Sequence, residues 1–365
     1  MSKAAELANL IGNINAGGGS TNRNVIINGA MNVAQRATSE TDVGGVGKYP
    51  TIDRFKIVPN GTNGRVTMSQ DSSAPSGFAN SLKLDVTTAD TSVVAGEYFI
   101  LSQKIEGQNL QAFAKGTSDA KPFAVSFYVK GNASATYAVE LFDSNSRQAS
   151  KLFNVTTDWT RVELTFDADT TGTIADDNAQ GLELNFWLHA GTSFTSGTLN
   201  QTFASNDNTK RASGISSLFD STDRTFFITG VQLEVGQNAT TFEHEPFERT
   251  LSKCERYFLR SFHTASNSGN SQTYPGTITA EAPATNALDF QVQFRTQLRT
   301  APTFTFYRAG ASGDMYNVDN AGTLSSVSLA QNWFDSNGMG GLVASGTPFT
   351  QGTRYGFDYD MDAEL

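Results

Sequence analysis

The chain has 365 residues, a formal net charge of −10 and a single cysteine, Cys254. The acidic excess repels a phosphate backbone, which argues against nucleic-acid binding, and one cysteine excludes an internal disulfide. No apolar run reaches the roughly 20 residues of a membrane helix, and residues 1–6 lack the apolar core of a secretion signal. We therefore expect that the chain does not insert into a membrane and that it is synthesised in a reducing cytoplasm.

Residues 1–20 predict a short helical anchor followed by a Gly-rich linker. Ser2 can cap a helix in which Leu7, Ala8 and Ile11 lie along one apolar stripe. Residues 16–20 have the composition of a flexible linker. A helix this short is marginal alone, so we expect Leu7, Ala8 and Ile11 to anchor the chain to another protein or to copies of itself. The alternative is a frayed terminus.

Residues 21–245 alternate apolar and polar side chains over many short segments, which predicts an all-β jelly-roll sandwich. The clearest alternation consists of Phe123, Val125, Phe127 and Val129. Each such segment points one apolar face at a shared core, and turn-forming residues separate the segments.

Two further segments of this region are predicted as strands. One is residues 24–28. The other is residues 226–236, which we expect to close the sandwich before a turn at Gly236 and a short return strand at residues 239–243.

Residues 246–365 predict a smaller C-terminal β-domain. A short helical turn is expected at residues 247–254, where the alternation breaks. Period-two alternation then returns at Leu288, Phe290, Val292 and Phe294, which is typical of a half-buried strand.

A glycan-binding surface is one interpretation of the residues that face away from the core. If Phe127 and Val129 face inward, Tyr128 faces outward, and by the same reasoning so do Glu183, Asn185 and Trp187. An aromatic ring beside amides and carboxylates suits stacking on a saccharide and pairing with its hydroxyls. The alternative is that Tyr128 and Trp187 pack under a loop or at a subunit interface.

Four loop aspartates are candidate ligands of a structural calcium ion: Asp167, Asp169, Asp176 and Asp177. Calcium takes clustered carboxylate and carbonyl oxygens, although aspartate is also an ordinary turn former. The histidines, His189, His244 and His263, lie far apart in the sequence without the spacing of a zinc motif, so no metal-catalytic site and no other cofactor is expected.

Ordinary catalytic motifs are absent from the sequence, and we expect no enzyme activity. Glycoside hydrolysis needs only two carboxylates about 5 to 10 Å apart. Glu140, Glu183 and Glu234 lie on predicted neighbouring strands and keep a polysaccharide depolymerase open as an alternative.

Several segments in order resemble the fibre-like structural proteins of tailed phages of the marine, cyanophage type. The matching segments are residues 2–7 (SKAAEL), 25–36 (VIINGAMNVAQR), 53–55 (DRF), 81–84 (SLKL), 95–98 (AGEY), 103–107 (QKIEG), 226–236 (FFITGVQLEVG), 254–258 (CERYF) and 362–365 (DAEL).

This resemblance implies a virion component with a jelly roll like that of carbohydrate-binding modules. It also implies a homotrimer whose partners are capsid or tail proteins and, in a tail fibre for host attachment, host surface glycans. The alternative is a head or tail decoration protein that binds only other virion proteins. Covering exposed edge strands is a further reason to expect self-association.

Overall fold

The computed structural model describes residues 2–15, 22–261, 278–308, 311–312, 314–319, 322–324 and 326–365. It divides the chain into two compact units, Met1–Thr250 with Leu365 and Leu251–Glu364. The predicted linker at residues 16–20 and His263 lie outside the described residues. No described helix is both long enough and apolar enough to cross a bilayer.

Helices are short and few among the described residues. The α-helices are α1 (Lys3–Asn15), α2 (Thr192–Thr195) and α3 (Phe247–Glu255), and 3₁₀ helices cover Gly107–Phe113, Asn208–Lys210 and Leu218–Asp220.

Two antiparallel sheets form the first unit. The first sheet has the order β1-β3-β4-β12-β6-β9 and the second sheet the order β11-β8-β7-β10-β5-β2. The strands are β1 (Ser39–Val43), β2 (Lys56–Asn60), β3 (Arg65–Asp71), β4 (Ser81–Thr88), β5 (Tyr98–Glu106), β6 (Phe123–Gly131), β7 (Ala135–Asp143), β8 (Arg147–Val155), β9 (Thr160–Phe166), β10 (Gln180–Ala190), β11 (Ala204–Ser205) and β12 (Thr225–Val235). The chain crosses repeatedly between the two sheets, and the prediction of an all-β jelly-roll sandwich is confirmed.

The core of the first unit lies between these sheets. Phe127 of the first sheet packs edge-to-face against Phe153 and Phe186 of the second, with ring centroids 5.0 and 5.1 Å apart. All three side chains are buried, as the period-two alternation of their strands requires. Edge-to-face packing of this kind adds to the stabilisation from buried area.

The segment at residues 24–28 is not a strand, which corrects the prediction. Asn28 adopts a positive φ of 62°, and its buried side-chain amide donates to the carbonyl oxygens of Val33 and Asp53. Its Oδ1 accepts from the amides of Asn32 and Val33. Asparagine tolerates this backbone conformation and can bond locally, so the motif has a turn-forming role.

The predicted return strand at residues 239–243 is also not a strand. Instead, Thr240 donates its backbone N–H and its hydroxyl to the buried carboxylate of Glu234 on β12. The segment is thus held by hydrogen bonds to a side chain of the first sheet and not by the backbone hydrogen bonds of a β-ladder.

The second unit is built around a long buried strand, β22. Its strands are β13 (Phe258–Arg260), β14 (Ile278–Glu281), β15 (Ala287–Gln293), β16 (Thr303–Arg308), β17 (Ala311–Ser312), β18 (Met315–Asn317), β19 (Gly322–Leu324), β20 (Leu329–Phe334), β21 (Gly338–Ala344) and β22 (Arg354–Asp362). β22 pairs with β13, β14, β16 and β18, while β15, β21 and β20 form a separate three-stranded sheet. The fold of this unit is therefore mainly β, as expected.

Candidate functional site

Three of the four predicted glycan-binding residues lie on the outer face of the second sheet, but this face is covered at Trp187. The ring is fully buried and contacts Tyr98 and Phe194 at centroid distances of 5.7 and 5.3 Å. The guanidinium of Arg211 lies 4.8 Å from the ring centre. The segment between β10 and β12 supplies Phe194 and Arg211, so the expectation of an open ring at Trp187 is wrong and the alternative, packing under a loop, describes it.

Glu140 lies next to Trp187 and is also buried. Its carboxylate accepts two hydrogen bonds from Arg211, at 2.7 and 2.8 Å, and one from the indole N–H of Trp187 at 3.0 Å. Asn185 donates to the same carboxylate at 3.1 Å and to Glu183 at 3.2 Å. A bidentate arginine partner satisfies Glu140, so this cluster acts as a rigid support for the covering loop.

The three glutamates of the depolymerase alternative do not meet in one place. Glu140 and Glu183 lie on β7 and β10 of the second sheet, whereas Glu234 lies on β12 of the first sheet. Glu234 is bonded to Gln232 and Thr240 there. No carboxylate pair that includes Glu234 can flank a glycosidic bond held at the second sheet.

Tyr128, the fourth predicted residue, lies on the outer face of the first sheet. Its ring contacts Phe78 at 5.4 Å, and Phe78 contacts Phe242 at 5.0 Å and His244 at 5.1 Å. These side chains are partly or fully exposed. The structure therefore separates Tyr128 from Glu183, Asn185 and Trp187.

A bulge in β12 makes room for this contact. Gly230 has φ +63°, and a Cβ there would lie 2.7 Å from the Phe78 ring and 2.9 Å from the Tyr128 ring. Only glycine fits both the backbone conformation and the space.

Two more partly exposed rings continue the same sheet face. Trp159 and Phe227 lie 6.2 Å apart, and the ammonium of Lys130 lies 5.4 Å from the first and 4.9 Å from the second. Lys83 approaches Phe227 from the neighbouring strand at 5.7 Å. We name Phe78, Tyr128, Trp159, Phe227 and Phe242 the aromatic face.

Only Tyr128 of the aromatic face was identified from the sequence. The outward direction of Phe227 follows from the alternation of residues 226–236, since its neighbours Phe226 and Ile228 point inward. Phe78 and Phe242 lie in irregular segments, where side-chain direction has no period to reveal it.

The predicted calcium ligand Asp169 is bound by cations of the chain itself. Arg147 donates to its two oxygens at 2.8 and 3.0 Å, and the buried Lys115 ammonium lies 2.9 Å from Oδ2. Lys115 also contacts the buried Asp143 carboxylate and donates to the carbonyl oxygens of residues 171 and 172. We name Lys115, Asp143, Arg147 and Asp169 the lysine cage.

The lysine cage corrects the calcium expectation at Asp169. Burial acts to raise the pKa of Asp169, but hydrogen bonds from Arg147 and Lys115 outweigh it and hold the pKa below its usual value. The ammonium takes the place a metal ion would have. Asp167, Asp176 and Asp177 are exposed and do not converge with Asp169 on a cluster of ligand atoms in the described part of the chain.

A different buried group, which sequence spacing missed, does bring metal-ligand atoms together. Asp90, Glu97 and His189 each offer one such atom, and these atoms lie within 4.8 Å of one another. We name these three residues the histidine cluster. Asp90 and Glu97 lie in the loop between β4 and β5, and His189 lies near the end of β10.

The two carboxylates of the histidine cluster are fixed by loop groups. Asp90 accepts from the Thr62 hydroxyl at 2.8 Å and from the Asn63 amide at 2.7 Å. Burial acts to raise the pKa of Asp90, but the hydrogen bonds from Thr62 and Asn63 act against it and the pKa is lowered from its usual value. Glu97 accepts from the Val94 amide at 2.9 Å.

The anchor residues of α1 are exposed as an anchor requires. Leu7 is 57 % exposed and Ile11 49 %, and Ala8 is exposed as well. Leu7 and Leu10 line a groove of about 390 Å³ with Arg23 and residues 239–241. Binding of a partner by this helix stays a prediction.

No protein-family model and no curated protein matches the chain. Among solved structures, one described as "CBM4 structure and function" is 13% identical, covering 57% of this chain and 97% of that chain, with a TM-score of 0.30. TmCBM61 in complex with beta-1,4-galactotriose is 12% identical, covering 58% and 99%, with a TM-score of 0.29. A family 11 carbohydrate-binding module from Clostridium thermocellum is 12% identical, covering 56% and 98%, with a TM-score of 0.27. These low scores transfer no residue role to this chain.

Proposed function

We propose that this chain is a non-enzymatic, fibre-like structural protein of a tailed-phage virion whose jelly roll binds host surface glycans through the aromatic face. The observation that carries the glycan part is the row of partly exposed rings on the first sheet. The virion part is supported by the series of sequence segments, in the same order along the chain, that resemble phage fibre-like proteins.

The aromatic face combines ring surface with polar groups at close range. Lys83 and Asp85 form an ion pair at 2.9 Å beside Phe227, and Arg161 pairs with Glu163 next to Tyr128 along β9. A saccharide can stack its C–H groups on a ring while its hydroxyls pair with such charged groups. The arrangement therefore suits a sugar ring lying across β6, β9 and β12.

A protein partner fits this face less well. The cores of protein interfaces are depleted of lysine, aspartate and glutamate. Here Lys130 lies between Trp159 and Phe227, within 5.4 Å of both rings, and desolvating its ammonium against an apolar surface is costly. Saccharide hydroxyls can keep that ammonium hydrogen-bonded.

The test is glycan binding by the full chain, measured on an array of bacterial surface polysaccharides and then by calorimetry on the best ligand. Trp159→Ala and Phe227→Ala should each lower the affinity roughly tenfold, because each removes a stacking surface. Leu152→Ala is the matched control, since Leu152 is 40 % exposed on the second sheet. Glu183→Ala tests whether the outer face of the second sheet binds the glycan instead.

Unchanged affinity in both aromatic variants, with circular dichroism intact, would remove the aromatic face as the site. Loss in Glu183→Ala alone would move the site to the second sheet. Release of reducing ends from the bound polysaccharide would contradict the non-enzymatic part and favour the depolymerase.

Assembly is tested separately. The resemblance implies a homotrimer, and α1 presents Leu7 and Ile11 to solvent. Light scattering should give a trimeric mass that falls in Leu7→Asp and Ile11→Asp.

Cross-linking in intact particles distinguishes a tail fibre from the alternative, a decoration protein that contacts only capsid or other virion proteins.

A further inference from the structure

We propose that the histidine cluster binds one divalent transition-metal ion, of the zinc type, through Asp90, Glu97 and the Nε2 atom of His189. This site is independent of the glycan surface, since it lies at the end of the sandwich where the loops after β2 and β4 meet the end of β10.

An unpartnered nitrogen points to the ligand. His189 is fully buried, and its Nε2 makes no hydrogen bond. The Glu97 Oε2 atom lies 3.7 Å from it, beyond hydrogen-bond distance. A buried polar atom without a partner is costly, and here it faces two electron-rich carboxylates. A cation between the three groups satisfies all of them.

The rest of the imidazole is arranged as in metal-binding histidines. Nδ1 lies at hydrogen-bond distance, 2.8 Å, from the Ser217 hydroxyl oxygen, which accepts from the Phe219 amide. This contact orients the ring, and in the tautomer whose Nδ1–H donates to Ser217 the Nε2 lone pair is left for a metal. Thr62, Asn63 and Val94 orient the two carboxylates in the same way.

Distances and charge agree with a divalent ion. Zinc binds histidine nitrogen and carboxylate oxygen at about 2.0–2.2 Å, so two ligands of a tetrahedral ion lie about 3.4 Å apart. The observed 3.7 Å between His189 and Glu97 needs a small contraction, and the Asp90 oxygen, which lies within 4.8 Å of the other two atoms, has to close the remaining distance when the ion binds. Two carboxylates and a neutral imidazole balance a charge of +2. Water or a second carboxylate oxygen can fill the fourth position.

The chemistry of the ligands selects among metals. Imidazole suits zinc, copper, iron and nickel, whereas calcium takes oxygen ligands. The loop at residues 91–96 is exposed along its whole length and joins Asp90 to Glu97, so both carboxylates lie at the ends of a surface loop.

The experiment uses the full chain without a purification tag, stripped of metal with a chelator and dialysed. Zinc sulfate at hundredfold excess over its dissociation constant should raise the thermal midpoint by roughly 5–10 °C. Calorimetry should give a stoichiometry of one zinc ion per chain and the dissociation constant used to set that excess. Cobalt should give the visible absorption of a low-symmetry, four-coordinate ion.

The variants locate the ion. His189→Gln and Glu97→Gln should each abolish the shift and the cobalt absorption, while His244→Gln, at an exposed histidine, should retain both. If His189→Gln fails to fold, Glu97→Gln and Asp90→Asn decide, since each keeps the shape of the side chain. Absence of zinc binding by the wild type would overturn the proposal, as would binding retained in Glu97→Gln and Asp90→Asn, or stabilisation by calcium alone.

Discussion

The lysine cage and the histidine cluster are two buried acidic groups in the same sandwich, and they are neutralised differently. In the lysine cage, Asp143 and Asp169 face Lys115 and Arg147, so the chain supplies both counter-charges. In the histidine cluster, His189 is the one basic side chain that the described part of the chain places beside Asp90 and Glu97, and its pKa is lowered because burial outweighs the attraction of the two carboxylates. The chain therefore neutralises the carboxylates of the lysine cage itself, whereas the carboxylates of the histidine cluster can take an external cation.

The difference shows that a buried carboxylate pair does not by itself identify a metal site. Loop aspartates at residues 167–177 have the composition of a calcium loop, yet the buried one, Asp169, is paired with the Lys115 ammonium, which also binds the carbonyl oxygens of residues 171 and 172. Each group holds a buried side-chain atom without a hydrogen bond, Asp143 Oδ2 in the lysine cage and His189 Nε2 in the histidine cluster. They differ in what lies beside that atom: the Lys115 ammonium contacts Asp143 Oδ2, whereas His189 Nε2 has only a carboxylate oxygen of Glu97 at 3.7 Å.

The largest effect should come from removing the internal cation of the lysine cage. Lys115→Met leaves Asp143 and Asp169 buried with one counter-charge fewer, and breaking a buried pair in this way costs about 3–5 kcal/mol. Urea unfolding followed by circular dichroism measures the loss. Lys210→Met is the control, because its ion pair with Asp207 is exposed and should contribute little. A loss no larger than that of the control would show that the cage does not depend on Lys115.

A smaller, pH-dependent effect should follow from Asp169→Asn. At pH 7 the variant loses charge-assisted hydrogen bonds from Arg147 and Lys115, which costs about 1.5–3 kcal/mol. The folded-state pKa of Asp169 is lowered, so its stabilisation is present above the unfolded pKa and is lost as pH falls through the folded pKa. The difference in unfolding free energy between wild type and variant should therefore shrink between about pH 5 and pH 2.

Asp167→Asn serves as the control for that titration, since Asp167 is exposed, and it should follow the wild-type curve. A difference that stays constant down to pH 2 would contradict the role of the Asp169 charge.

The strands of the sandwich could be predicted because their burial follows a period of two. Phe123, Val125, Phe127 and Val129 face inward as expected, and the alternation also gave the outward direction of Tyr128. The same rule placed Trp187 on an outer face correctly. It could not show that the loop after β10 folds over that face, because the covering contacts with Phe194 and Arg211 depend on loop conformation.

The two buried clusters could not be predicted for a related reason. Lys115 follows a 3₁₀ helix and Asp169 lies in a loop after β9, and only the packing of the two loops brings them together. His189 falls in an apolar alternation and has no acidic neighbour in sequence. Its partners come from the loop between β4 and β5, so the zinc-type spacing that sequence motifs rely on is absent.

The smallest effect should come from Glu97→Gln in the metal-free protein. The substitution removes one of the two like charges beside His189, and the glutamine oxygen can still accept from the Val94 amide. The unfolding free energy measured in chelator should change by less than about 1 kcal/mol. A loss as large as that of Asp169→Asn would mean that Glu97 already has a full counter-charge in the metal-free state, supplied by a protonated His189. The chain would then supply the counter-charge of the histidine cluster, as it does in the lysine cage, and the contrast between the two would disappear.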